Sequence, residues 1–262
     1  MKELQIARNL TVRIFDTVDE MPIDRFHRFN KYVMIDSGIG ADMESVDQHL
    51  SQVKRFISQG EKDRANQKIE NIRQSLFFII SGMNPRCLAF AILIHDINGK
   101  PVDDFQEESL MKIIERLSQK GLTKGQVYEM VDLAKKKFRD ELGLLYPEEV
   151  SEGNEISTLA KIKQRALLVG RHILGEDTEK EIEKVTNELE DEIPVENYQG
   201  PKGREAQFER DYEKMVILTS EHTNQDPRTM TVKQFYALVN YAKIEAKRRK
   251  RATSRRRSGG GL

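Results

Sequence analysis

Residues 76–104, LFFIISGMNPRCLAFAILIHDINGKPVDD, hold the densest apolar material in a chain otherwise crowded with charge. Leu76, Phe77, Phe78, Ile79 and Ile80 lead into a Gly82-Met83-Asn84-Pro85 break, and Leu88, Phe90, Ile92, Leu93, Ile94 and Ile97 follow before Asn98-Gly99. Removing such side chains from water is worth roughly 1.5–3 kcal/mol each, so a stable fold of this chain is built over this segment. It reads as the end of a buried helix, then a strand and a tight turn. Leu88–Ile97 taken alone fits either a buried strand or a short helix. The Asn98-Gly99 pair with Pro101 behind it favours a strand ending in a hairpin-like turn. The stretch contains no catalytic signature.

A chain of 262 residues makes one large domain or two small ones. With 38% apolar and 33% charged residues, it suits a helical protein with solvated arms better than a compact enzyme. The 43 basic and 43 acidic residues cancel, so only the distribution of charge carries information. Cys87 is the single cysteine. Lying in the apolar stretch, it reads as a small hydrophobe in a protein made for a reducing compartment. MKELQIARNLTVRIF lacks the continuous apolar run of a signal peptide. No run reaches the roughly 18 apolar residues of a membrane span. The expectation is a soluble protein made in the cytoplasm, with no membrane partner.

Leu10–Phe15 alternates and reads as a strand. Asp19, Glu20 and Pro22 signal a helix start, and Phe26, Phe29, Val33 and Met34 place a helix over Ile23–Ile35. After Ser37-Gly38-Ile39-Gly40, Asp42 caps a helix with Val46, Leu50, Val53 and Ile57 as its stripe, ended by Gly60. Asp63–Ile80 forms the next, with Ile69, Ile72, Leu76 and Ile79 or Ile80 inward. A small sheet pairs the strand before Asn98 with Thr11–Phe15. Asp104 or Gln106 opens a helix through Leu117, with Leu110, Ile113, Ile114 and Leu117 inward, stopped by Gly121. Thr123 and Gln126 form a capping box for a helix with Val127, Met130, Val131 and Leu133 or Ala134 inward, down to about Leu142.

Tyr146-Pro147 and the acidic Glu148–Glu155 mark a boundary, and Ile156–Leu174 is a further amphipathic helix. Glu176–Glu192 carries nine acids against two lysines, net −7. Asn197–Glu205 has the Gly- and Pro-bearing composition of a linker. Phe208, Tyr212, Met215 and Val216 line one last helix, and Val232, Phe235, Leu238, Val239 and Ala242 line its partner, capped by Thr231. The fold class is therefore mainly α: an α+β N-terminal domain with a small sheet (1–147), a helical, acidic connector (148–203), and a C-terminal helical pair with a basic tail (204–262).

Candidate chemistry is sparse. Asp36-Ser37-Gly38-Ile39-Gly40 lacks both the dinucleotide fingerprint and the Gly-Lys-Ser/Thr ending of a phosphate loop, and reads as a helix-to-helix turn. His27, His49, His95, His172 and His222 are scattered without zinc-site spacing. His95-Asp96 facing Asp103-Asp104 across the turn could form an acid/base group, but charges flanking a turn usually face solvent. No Gly-x-Ser-x-Gly elbow occurs. The reading is of a non-enzyme with no catalytic residues, metal or cofactor.

The sharpest feature is the terminus. Lys243, Lys247, Arg248, Arg249, Lys250, Arg251, Arg255, Arg256 and Arg257 stand against the single acid Glu245, net +8. Such a run binds phosphates in a salt-dependent way. Without interleaved aromatics it would read no base sequence. The same charge equally suits an acidic protein partner, either the chain's own Glu176–Glu192 or a neighbouring subunit, or a merely solvated end. Gly259, Gly260 and Gly261 leave the extreme end frayed.

Two segments, VRIFDT…MPIDRFHRFNKYVMIDSGIGADM within Thr11–Met43 and DPRTMTVKQFYALVNYAK over Asp226–Lys243, resemble proteins of tailed-bacteriophage structural gene clusters. The first is similar to the opening of uncharacterised virion or assembly proteins. The second is similar to the C-terminal helical module of phage tail-assembly proteins, where a Met-Thr-Val-x-x-Phe helix start follows a polar loop. Together they cover about a sixth of the chain. The resemblance implies a non-enzymatic structural or assembly protein of the virion (head, connector or tail), synthesised in the host cytoplasm. Its partners would be other virion proteins and copies of itself, with nucleic acid at the basic terminus as the alternative.

Overall fold

In a computed structural model, residues 1–147, 155–192 and 196–258 are described. The fold is mainly α with a small sheet, and among the described residues it has ten α-helices and four strands. In order these are β1 (Lys2–Ala7), β2 (Leu10–Ile14), α1 (Ile23–Gly38), α2 (Met43–Ser58), α3 (Lys62–Ser81), α4 (Pro85–Leu93), β3 (Ile94–Ile97) and β4 (Lys100–Pro101). Then follow α5 (Glu107–Ser118), α6 (Lys124–Leu145), α7 (Glu155–Ile173), α8 (Glu179–Glu192), α9 (Arg204–Ser220) and α10 (Val232–Ser258). The sheet is antiparallel throughout, in the order β1-β2-β3-β4.

The apolar stretch does hold the centre, but as a helix rather than a strand. Asn84 accepts a hydrogen bond from the Cys87 N–H at 3.1 Å, and Pro85 takes the first helical position. Every residue of α4 except Arg86 is buried. A helix buried on all sides shows no amphipathic period, so only the Asn-Pro start distinguishes it from a buried strand. The strand is limited to Ile94–Ile97, which pairs with β2 as Val12↔Ile97 and Arg13↔Asp96. At the turn Asn98 and Gly99 both adopt positive φ, 52° and 76°. Asn98 also accepts from the Thr11 N–H at 2.8 Å and donates to the Asn9 carbonyl at 3.1 Å, locking one hairpin to the next.

Around α4 pack α1, α5 and α6, and the core continues through the sheet to Phe15, Val18 and Met21. The other half of the apolar stretch lies largely outside this core, with Phe78 alone packed against it. Helices α2 and α3 form a hairpin with its own small cluster (Val46, Val53, Phe56, Ala65 and Ile72), leaving Phe77 and Ile80 exposed beyond it. On α2 the inward stripe is Val46, His49, Val53 and Phe56, and the expected Leu50 and Ile57 face water. The stripe is rotated because α2 packs chiefly on α3, along a single seam. β1 was not anticipated: its only inward residue below one-tenth exposure is Leu4, and its charged flank hides the alternation.

Local signals elsewhere hold. Asp42 accepts from Ser45 N–H at 2.8 Å, and Thr123 and Gln126 make both bonds of the capping box. A second hairpin, α7–α8, is pinned by the Thr178 hydroxyl on the Leu168 carbonyl at 3.0 Å and buries Leu168 and Val185. Residues 197–205 are built into the body, with Tyr198 buried over the end of α1. The C-terminal pair α9–α10 joins the same core. Ile23 N–H donates to the Met230 carbonyl at 2.8 Å and Val232 N–H to that of Met21 at 2.9 Å, while Tyr212, Val216, Phe235 and Val239 extend the central cluster.

Candidate interaction site

The five histidines lie in separate surroundings. His95 sits 2.6 Å from Asp96 Oδ2 through Nδ1, Arg13 Nε donates to the same oxygen at 2.6 Å, and Gly99 N–H donates to Oδ1 at 3.0 Å. Asp96 is only 2% exposed. Burial pushes its carboxyl up, and the bonds from His95, Arg13 and Gly99 outweigh it and hold the group below the usual range. Asp103 and Asp104 do not complete an acid/base set. Asp104 accepts from Gln106 N–H at 3.0 Å and from Ser109 Oγ at 2.6 Å, bracing the turn ahead of α5. The cluster fastens the β3–β4 turn to β2. Asp96→Asn is expected to cost about 1–3 kcal/mol. Since the folded carboxyl is the stronger acid, Asp96 stabilises above the ordinary aspartate range and loses that contribution as pH falls through it. Melting curves taken from neutral to acid should therefore be shallower in pH for Asp96→Asn than for the natural chain, and parallel curves would contradict the assignment.

His49 Nε2 donates to the Ile39 carbonyl at 2.9 Å, leaving Nδ1 to accept from Lys68 Nζ at 3.4 Å, so the ring is held neutral. His172 contacts the Glu176 carbonyl at 3.2 Å, and His222 packs edge-on against Tyr241. Among the described residues no three His, Cys, Asp or Glu side chains converge as ligands to a metal would. Cys87 is buried, and burial pushes its thiol up. In the Asp36–Gly40 turn, Asp36 pairs with Arg86 at 2.7 Å, Gly40 takes φ 72°, and Gly38 seats the Tyr198 ring.

The basic terminus takes a definite form. α10 is buried through Val232, Phe235, Val239 and Ala242, then leaves the body while remaining helical to Ser258. At 1.5 Å per residue the departing part is roughly 24 Å long. Lys243, Lys247 and Arg248 are exposed there, and Arg248 reaches Glu245 at 3.6 Å. The side chains of Arg249, Lys250, Arg251, Arg255, Arg256 and Arg257, and the Gly259–Gly261 end, lie outside the described residues. Two further surfaces were not legible in the sequence. One is a cleft of about 450 Å³ between α6 and the sheet, where Ile14, Met130, Leu133, Ala134 and Leu144 form an apolar floor among charged side chains from Lys2, Asp16 and α6. The other is the junction where His27 of α1 meets α9. The outward Leu133 and Leu144 were the available sign of the cleft; for the junction it was the aromatic pair Phe208 and Tyr212, four residues apart beside Glu209.

Comparison with protein-family models, with curated proteins and with solved structures finds no match to this chain.

Proposed function

We propose that this chain is a non-enzymatic structural or assembly protein of a tailed bacteriophage, working through contacts with other virion proteins and with copies of itself. The observation that carries the contact role is the apolar cleft on α6. Leu133 and Leu144, 51% and 86% exposed, stand at its rim, and an apolar recess with such a rim supports a role in protein contact. Phe77 and Ile80 on α3 and Ile173 and Leu174 at the end of α7 add further exposed apolar side chains. The phage assignment rests on the resemblance of Thr11–Met43 and Asp226–Lys243.

Cross-linking and size-exclusion chromatography of the full chain with co-encoded virion proteins test this reading. The expected result is a complex that Leu133→Glu with Leu144→Glu abolishes while the folded monomer survives. A monomer indifferent to every such protein would overturn it.

A second reading, sequence-neutral nucleic-acid binding, is favoured by one observation: α10 projects from the body with basic residues from Lys243 onward. Removing Lys247–Arg257 is expected to abolish retention of duplex DNA. A milder charge-to-alanine series should reduce the salt slope by roughly one unit for each phosphate the tail no longer neutralises. Retention unchanged after the truncation would end this reading.

A further inference from the structure

His27 is one of the points at which the body grips the C-terminal pair. It stands on α1, 7% exposed, and its imidazole lies flat against two rings of α9. Phe208 is 4.4 Å away and Tyr212 3.9 Å, with interplanar angles of 8° and 11°. Its Nε2 lies 2.9 Å from Glu209 Oε2. A carboxylate can only accept, so Nε2 carries a hydrogen and points it at Glu209. We propose that His27 is an acid-sensitive latch, in which protonation of the imidazole loosens the docking of α9 on α1. The latch operates whatever partner the chain binds.

The charges around the ring decide its sign. From its own helix Asp24 favours the imidazolium and Lys31 opposes it, while Arg28 is tied to Asp24 at 2.9 Å. From α9, Glu209 favours the charged ring, yet its side chain is 46% exposed and it is shared with Lys31 at 3.4 Å. Lys31 also lies 3.9 Å from Glu205, and on the far side Arg228 is occupied by Glu213 at 2.6 Å. One screened, divided carboxylate does not offset the loss of water around a ring packed between two aromatic faces. Burial therefore holds His27 below the ordinary histidine value, despite Glu209.

Opening the junction relieves a second group. The Tyr212 hydroxyl is buried and has no hydrogen-bond partner among the described residues. A buried, unpaired hydroxyl gains by reaching water, so Tyr212 favours the open state, and His27 joins it once charged. The sign follows from linkage. The docked state binds the proton less well than the open state, so docking is complete above the ordinary value of about 6.5 and weakens as pH falls below it.

The test uses the full chain. Proton NMR follows His27 through its titration, and amide hydrogen exchange of α9 and α4 is compared near neutral pH and one unit below the ordinary histidine value, corrected for intrinsic exchange. His27 is expected to titrate below about 6.5. Opening of α9 should rise several-fold, to a ceiling of about tenfold, because an open histidine one unit below its pKa is roughly ten-to-one protonated. α4 should not respond, and His27→Phe, which keeps an aromatic ring in the stack, should remove the α9 response. Titration of His27 at or above the ordinary value, an unchanged α9, equal opening of α4, or a response retained in His27→Phe would each overturn the latch. Should the variant fail to fold, the titration and the α9–α4 comparison in the natural chain decide alone.

Discussion

Replacing Arg25 by methionine is expected to destabilise the fold by roughly 2–6 kcal/mol, about 1–3 for each of two buried carbonyls left without a donor. Arg25 lies on α1, 8% exposed, and is the only arginine among the described residues buried to that degree. Its Nη1 donates to the Ile94 carbonyl at 2.8 Å and its Nη2 to the Val102 carbonyl. The guanidinium also sits over the Phe105 ring at 4.6 Å and the Phe15 ring at 5.2 Å. Burial lowers its pKa, and the fields of Asp103 and Asp24 work against that. Methionine keeps much of the length and packing while removing the donors, so the loss isolates the hydrogen bonds. Lysine should recover only part of it, because a single ammonium cannot fork between the carbonyl where β3 begins and the one just past β4. Urea unfolding of the three chains measures this: the midpoint should fall in the order Arg, Lys, Met with an unchanged slope. A methionine variant as stable as the natural chain would show that the two carbonyls need no donor.

What the sequence disclosed and what it hid follow one physical division. Asp42, Thr123 with Gln126, Thr231, and Asn98-Gly99 act on backbone groups within a few residues, so their chemistry was readable in place. Orientation was harder. Leu50, Ile57 and Ile69 have the right spacing for a core, yet they face water because α2 and α3 pack chiefly on each other. Of the strand expected over Leu88–Ile97, the part up to Leu93 is a helix, because full burial erases the period that separates the two. The basic terminus was legible as charge, and its departure from the body after Ala242 was not. The His27 junction was hidden by distance, since Glu209 is 182 residues away along the chain, and the aromatic pair Phe208 and Tyr212 was its one local sign. Arg25 likewise looked like one more solvated charge on an amphipathic helix.

Gly38 offers the sharpest test of how the end of α1 holds residues 197–205. A Cβ placed on it would lie 1.6 Å from Tyr198 Oη and 2.2 Å from Cζ, so the ring itself blocks a methyl group. Tyr198 is 8% exposed and belongs to the central core. In Gly38→Ala it must leave its seat, and the expected cost approaches that of deleting a buried aromatic ring, about 3–5 kcal/mol. Tyr198→Ala alone should cost a similar amount. The double variant is expected to be no less stable than Tyr198→Ala, and up to about 1 kcal/mol more stable, because alanine is the better helix former once the ring is gone. Gly38→Ala thus reverses sign with the identity of residue 198, a coupling of several kcal/mol in a double-mutant cycle. Because Glu205 N–H bonds the Tyr198 carbonyl at 3.2 Å and Arg204 N–H that of Asn197 at 2.8 Å, the displaced ring should also carry the start of α9 with it. Additive effects in the cycle, with α9 exchange unmoved, would mean that the glycine at position 38 serves the turn alone and that Tyr198 is held by something else.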